Sequence, residues 1–261
     1  MTVATSTIDS HFTFVPGGAV ERNRLLDEAG VAAAVLVAEE PDAEASLRAA
    51  QETADDARVA ALVAWVDPAS PDLGKTLDAL TGFPKVKGVL VDARAQSSAR
   101  YPSSDAVVAG LEQVSKRGLS ADLLVEMRQI NAVTALAGRL PDLRIVLTHL
   151  GMPYIGRSER EPWGVAVLNL EACANVSVKA SGLVGLDVQD WRTAHLALFE
   201  EPVVRLFGVE RVLAGSGWPL GSDRASYPQA LEAIRSAAGP LSGEQAERFA
   251  AGSARAFYRI S

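Results

Sequence analysis

Three histidines occur in the 261-residue chain, and two of them close short apolar runs. His11 ends STIDSHFTF with Thr13 two residues on, so the two side chains share a face if the run is a strand. His149 ends RIVLTHL beside Thr148. Comparable run ends carry Asp92 and Arg94, Glu126 and Arg128, Lys179 and Ser181, and Ser216, Gly217 and Trp218. These residue types suit proton transfer to and from a carbonyl compound. Imidazole titrates near working pH and serves as general base or acid. An ammonium such as Lys179 can stabilise an oxyanion or enolate, or pair with a substrate carboxylate. The third histidine, His195 in DWRTAHLALF, falls on a helical pattern and is expected to pack or to face solvent.

The same residues argue against two other chemistries. A catalytic zinc ion takes three protein ligands and keeps one position open. His11 and His149 supply two imidazoles, Thr13 is a weak neutral donor, and Gly217 has no side chain. Glu126 is the remaining candidate for a third ligand. No tightly held metal and no cofactor are therefore expected. Neither Ser181 nor Ser216 lies in a G-x-S-x-G elbow, which disfavours a serine-hydrolase triad.

Positioning these groups requires a frame that brings many strand ends together. Eight short runs rich in Val, Ile or Leu alternate with longer Ala/Leu/Glu/Arg segments. The runs lie at 6–14, 32–38, 59–66, 85–93, 121–127, 144–150, 176–183 and 211–219. They read as strands buried on both faces. Helices are expected near 20–29, 43–57, 71–81, 104–117, 129–139, 162–174, 189–207, 225–238 and 242–257, the last with a capped start at Ser242. Eight such units in this length predict one (β/α)8 TIM-type barrel domain over 1–261, with its chemistry at the strand C-termini. No GxGxxG follows the first strand, which weighs against an open dinucleotide-binding sheet.

Composition bounds the partners. Hydrophobic residues at 48% and charged residues at 22% supply a full core and exclude a disordered chain. A net charge of −7, with no Lys/Arg cluster, excludes nucleic acid as the expected partner. No apolar run reaches the length of a membrane helix, and the N-terminus lacks a secretory pattern. The expected setting is cytoplasmic and the expected partner is a small-molecule substrate. Self-association into a homo-oligomer stays open. The one cysteine, Cys173, reads as a buried, inert thiol.

IDSHFTF, LPDLRIVLTHLGMP, ANVSVKASGL, FGVERVLAGSGWPL and SARAFYRI resemble, in order, landmarks of the amidohydrolase-2 branch of the amidohydrolase superfamily, which includes sugar-lactone and dicarboxylate-lactone hydrolases. The resemblance runs from residue 8 to the C-terminus and implies a distorted (β/α)8 barrel of amidohydrolase type. His11 matches the first histidine of the family's H-x-H, while Thr13 stands where the second belongs. His149 matches the sixth-strand histidine. The strand-eight aspartate that activates water in lactonase-like members falls on Gly217. A strand-four arginine of many members falls on Leu90.

The resemblance with these losses implies a divergent, metal-independent hydrolase of a lactone or ester bond. His149, His11 and Lys179 are the catalytic candidates. Thr13, Asp92, Arg94, Glu126, Ser181, Gly217 and Trp218 are the candidates for substrate binding, with Trp218 as a wall and Gly217 opening volume at the mouth. Two readings compete with hydrolysis. One is a repurposed lyase, isomerase or cyclase of specialised metabolism in the same pocket. The other is an inactive paralogue kept for binding or assembly.

Overall fold

In a computed structural model the chain is described over residues 7–186, 191 and 193–260. Eight parallel strands follow one another in sequence order around a single sheet: β1 (Thr7–Thr13), β2 (Val31–Ala38), β3 (Val59–Trp65), β4 (Val86–Asp92), β5 (Ser120–Leu124), β6 (Ile145–Leu147), β7 (Val176–Ala180) and β8 (Val212–Ala214). Helices α1 (Ala19–Glu28), α2 (Ala43–Thr53), α3 (Leu73–Thr81), α4 (Asp105–Lys116), α5 (Ile130–Arg139), α6 (Trp163–Glu171) and α7 (Thr193–Phe207) connect them. Helix α8 (Tyr227–Ala237) follows β8. The expected (β/α)8 barrel is the observed fold. The start expected for α7, at 189, lies outside the described residues.

The alternating pattern of each strand divides the core in two. Val35 and Val37 of β2, Val63 of β3, Leu90 of β4, Leu124 of β5, Val146 of β6 and Leu213 of β8 form the barrel interior with Ile8. Ala34 and Leu36 of β2 belong instead to the larger layer packed under the helices. This is the period of two acting on strands buried on both faces. The final helical stretch is one run by pattern but three segments in space: α9 (Gly243–Glu247), a π-helical turn over Arg248–Gly252, and α10 (Ser253–Tyr258). Ser242 caps it as expected, receiving Gln245 N–H. Phe257 and Tyr258 then pack on the barrel-interior cluster.

Closure between β8 and β1 uses side chains as well as backbone. Gly217 N–H donates to His11 O at 2.8 Å, and Thr13 N–H donates to Trp218 O at 2.8 Å. The carboxylate of Asp9 accepts from Ser216 N–H (2.8 Å), Ser216 Oγ (2.6 Å), His11 N–H (3.0 Å) and Tyr227 Oη (3.0 Å). One buried acid thus ties β1, the turn after β8 and α8 together. Such a site holds because each lone pair finds a donor.

Several strands stop earlier than their apolar patterns. β6 ends at Leu147 because His149 and Leu150 take left-handed backbone angles, φ 52° and 54°. β5 ends at Leu124, and Glu126 caps a 3-10 turn instead of extending the strand. β8 ends at Ala214, and β7 gives way to Gly182 with φ 65°. Rim chemistry in this barrel therefore sits on turns that immediately follow the strands. No helix among the described residues is long and apolar enough to cross a membrane.

Candidate active site

A cavity of about 600 Å³ opens at the strand C-termini. Five of the ten residues expected at the site line it: Thr13, Arg94, Glu126, His149 and Gly217. Three more stand behind these and hold them. Asp92 receives Arg94 Nε at 2.9 Å and Nη2 at 2.7 Å. Ser181 holds His149. His11, 1% exposed, lies against His149 with ring centroids 4.6 Å apart.

The histidine on β6's turn has a fixed orientation. His149 Nδ1 is 2.9 Å from the carbonyl oxygen of Ser181 and 2.9 Å from Ser181 Oγ. A carbonyl can only accept, so Nδ1 carries the proton and Nε2 holds the lone pair. Burial pushes the imidazole pKa down to about 3, and the neighbouring His11 adds to the effect. His149 is therefore neutral at working pH, with Nε2 making no hydrogen bond among the described residues.

Sequence reasoning passed over Glu39. It follows β2 directly, lines the cavity, and accepts from Thr13 Oγ1 at 3.0 Å. His11 Nε2 lies 3.3 Å from the same oxygen. Burial alone would raise this carboxyl. The His11 hydrogen bond and the electrostatic influence of the two neighbouring imidazoles outweigh it and hold the pKa near 2. A carboxylate therefore does face the mouth of the barrel, on the second strand rather than the eighth. The available signal was the acidic pair Glu39-Glu40 closing the run AAAVLVA.

Two expectations are corrected by position. Lys179 does not line the cavity. It is fully buried and donates to Asp122 Oδ2 at 2.6 Å, while Tyr258 Oη donates to the same oxygen at 2.7 Å. It stands next to the last residue of β7, and its ammonium serves a buried ion pair with Asp122 of β5 and not the cavity. Trp218 is not a wall of the cavity either. It packs edge-on against Tyr227, 5.8 Å between centroids, and lines a separate apolar crevice of about 120 Å³ with Phe12 and Phe14. The next residue, Pro219, faces the cavity instead.

The space beside Gly217 is also not what the missing side chain suggests. Gly217 has φ +68°, and a Cβ built on it would lie 2.4 Å from Gly182 Cα and 2.5 Å from Gly182 N. The backbone after β7 fills the direction in which a side chain would point. Of the remaining expectations, Leu90 lies fully buried in the barrel interior, and His195 is exposed on α7.

Comparison with known proteins agrees with this architecture. The amidohydrolase family model Amidohydro_2 matches residues 8–260. The L-fucono-1,5-lactonase of Burkholderia ambifaria is 32% identical over 203 residues, covering 75% of this chain and 68% of that protein. A crystal structure of an amidohydrolase from Burkholderia multivorans with bound zinc superposes with a TM-score of 0.88 at 24% identity, over 98% of this chain and 99% of the other. A 2-pyrone-4,6-dicarboxylic acid hydrolase from Pseudomonas putida gives 0.76 at 22% identity, over 98% of each chain.

The rim is short of strong zinc ligands. Thr13 and Gly217 leave two rim positions without a strong ligand, and His11 Nε2 is within hydrogen-bond reach of Glu39. Among the described residues no group of three His, Cys, Asp or Glu is arranged to hold a metal.

Proposed function

The chain belongs to the amidohydrolase family, and from that premise we propose that it hydrolyses the lactone or ester bond of a small carbonyl compound without a bound metal. The observation that carries the reading is the Ser181–His149 contact, which leaves His149 Nε2 as a proton acceptor at the cavity. The likeness to an L-fucono-1,5-lactonase supports the bond type.

In this reading a water between His149 Nε2 and the substrate carbonyl gives its proton to Nε2 as its oxygen attacks the carbonyl carbon. The carbonyl π pair moves to oxygen, which accepts a hydrogen bond from Arg94 Nη1, the guanidinium nitrogen that Asp92 does not engage. Collapse of the tetrahedral centre breaks the C–O bond to the leaving alkoxide, which takes the proton from His149. Glu39 balances the transient imidazolium and keeps His11 oriented. General-base help reaches about 10²–10⁴ in rate for a base that titrates near working pH, and the low pKa of His149 places this site at the weak end of that range.

A second reading rests on Gly217. Without a strand-eight carboxylate, the same His149 could move a proton within a carbonyl compound, as a lyase or isomerase does. A pH-indicator assay on lactones and esters, with the product checked for uptake of one water, separates the two, because only hydrolysis both releases acid and adds water. Turnover that survives a chelator and falls at least 100-fold in His149→Ala supports the metal-independent hydrolase. Turnover abolished by chelator and restored by zinc overturns metal independence. No acid release from any lactone or ester rejects hydrolysis.

A further inference from the structure

The cavity wall is divided by strand order. Thr13 ends β1, and Glu39, Arg94 and Glu126 follow β2, β4 and β5; together they give the wall a polar side. Met127, Met152, Pro153, Leu186, Pro219 and Leu220 come from the turns after β5 to β8. The two sectors meet at the turn after β5, which carries both Glu126 and Met127, and again at the β8–β1 seam. His149 stands on β6's turn, so a bond positioned at its Nε2 has charged groups on one side and an aliphatic and thioether wall on the other.

The charges on the polar side do not suit an anion. Arg94 is held by Asp92 through two nitrogens, and Arg128 is engaged by Glu126 Oε2 at 2.6 Å. Glu39 and Glu126 both face the cavity. With Arg94 neutralised by Asp92 and Glu126 by Arg128, a substrate carboxylate would meet the Glu39 carboxylate as the remaining charge on the described wall. On the apolar side the Tyr154 hydroxyl is the one polar side-chain group among the described lining residues, so most hydroxyls of a polyol seated there would lose water without a replacement and cost binding. The volume of about 600 Å³ lies in the range that holds drug-sized ligands and exceeds the need of one bare lactone ring. Met127 and Met152 are adaptable surfaces for a flexible apolar group.

Resting on the hydrolase reading above, we infer that the substrate is an uncharged lactone or cyclic ester carrying an apolar alkyl or aryl substituent, seated with its carbonyl toward His149 and its substituent on the Met127–Leu220 side. Sugar lactones and dicarboxylate lactones are then poor substrates.

The test is a kcat/KM series on the purified protein. It uses γ- and δ-lactones with alkyl tails of increasing length, a polyhydroxylated sugar lactone, and a lactone bearing free carboxylates. Each buried methylene should raise kcat/KM about fourfold until the wall is filled. Met127→Gln should flatten that dependence. Highest kcat/KM on the polyhydroxylated or carboxylated lactone, or no dependence on tail length, overturns the inference and leaves the hydrolase reading intact. If no lactone or ester is turned over, the hydrolase reading fails. The cavity's preference is then read from thermal shifts with non-hydrolysable lactams. A shift that grows with the alkyl tail supports the apolar-substituent assignment, and a flat response overturns it.

Discussion

A Cβ on Gly217 would stand 2.4 Å from the Cα of Gly182, so the turns after β8 and β7 touch at a point where neither carries a side chain. Both glycines have positive φ, at 68° and 65°. Gly217 is therefore a packing requirement as well as the absence of a carboxylate. Gly217→Asp should not create a strand-eight base. Positive φ alone costs a non-glycine residue about 1–2 kcal/mol, and displacing the Gly182 backbone adds to it. The expected loss is at least about 2 kcal/mol, or about 4–8 °C in Tm, with no gain in turnover. A variant with unchanged Tm and raised kcat would show that the two turns separate easily.

His149 and Ser181 set the second prediction. The carbonyl of Ser181 is enough to fix the Nδ1–H tautomer, and Oγ repeats the contact at the same 2.9 Å. Ser181→Ala should therefore lower kcat less than tenfold, while His149→Ala lowers it by about 10². Equal losses in the two variants would move the proton-relay role onto the Ser181 hydroxyl. Steady-state rates on any accepted lactone decide it.

Glu39 makes an acid-limb prediction. Its folded pKa is held near 2, below the ordinary value of 4.5, by His11 and His149 against the opposing effect of burial. A depressed carboxylate contributes stability that is present above the unfolded pKa and is lost as pH falls through the folded one. Between about pH 4.5 and 2 the protein should lose this contribution progressively. Glu39→Gln should remove that part of the acid sensitivity and lower stability at pH 7. Urea midpoints across that window test it, and parallel curves for parent and variant would count against the pairing.

Much of this site was legible in residues that sit where a strand must end. The eight apolar runs give the barrel because strands buried on both faces have a distinct composition. Thr13, Arg94, Glu126 and His149 then fall on the rim by counting along each run. The misplacements have a common cause. A period of two says which face a residue takes, but not how deep in the barrel it sits. Lys179 reads as a rim cation and is a buried partner of Asp122. Trp218 reads as a wall and lies behind Pro219. Where the backbone turns left-handed, as at His149 and Leu150, even the face is set by packing rather than by the pattern. Glu39 was missed because an acidic pair after a strand looks like solvated surface, and only the approach of His11 and Thr13 gives it a role.

Lys179 and Asp122 lead to a stability prediction rather than a catalytic one. Both side chains are fully buried, and Tyr258 Oη supplies Asp122 with its second donor. Lys179→Met leaves Asp122 without its cation and should cost about 3–5 kcal/mol. The double variant Lys179→Met/Asp122→Asn should regain much of that, since neither charge then remains buried alone. Denaturant unfolding of both variants checks the coupling. A single variant of normal stability with greatly reduced kcat would return Lys179 to the active site.

Glu200 gives the opposite pH dependence. It is fully buried on α7, both carboxyl oxygens lack a hydrogen-bond partner among the described residues, and burial raises its pKa well above 4.5. The folded protein then keeps a proton that the unfolded chain releases above about pH 4.5. The folded state binds more protons, so stability must fall as pH rises from there toward the raised folded pKa. Glu200→Gln keeps a neutral group of the same length and has no proton to lose. It should match the parent near pH 4 and exceed it increasingly toward pH 8. Thermal midpoints at the two pH values distinguish this from a simple packing effect, which would displace the variant equally at both. A variant less stable than the parent at pH 8 would mean that Glu200 is ionised and paired in the folded protein.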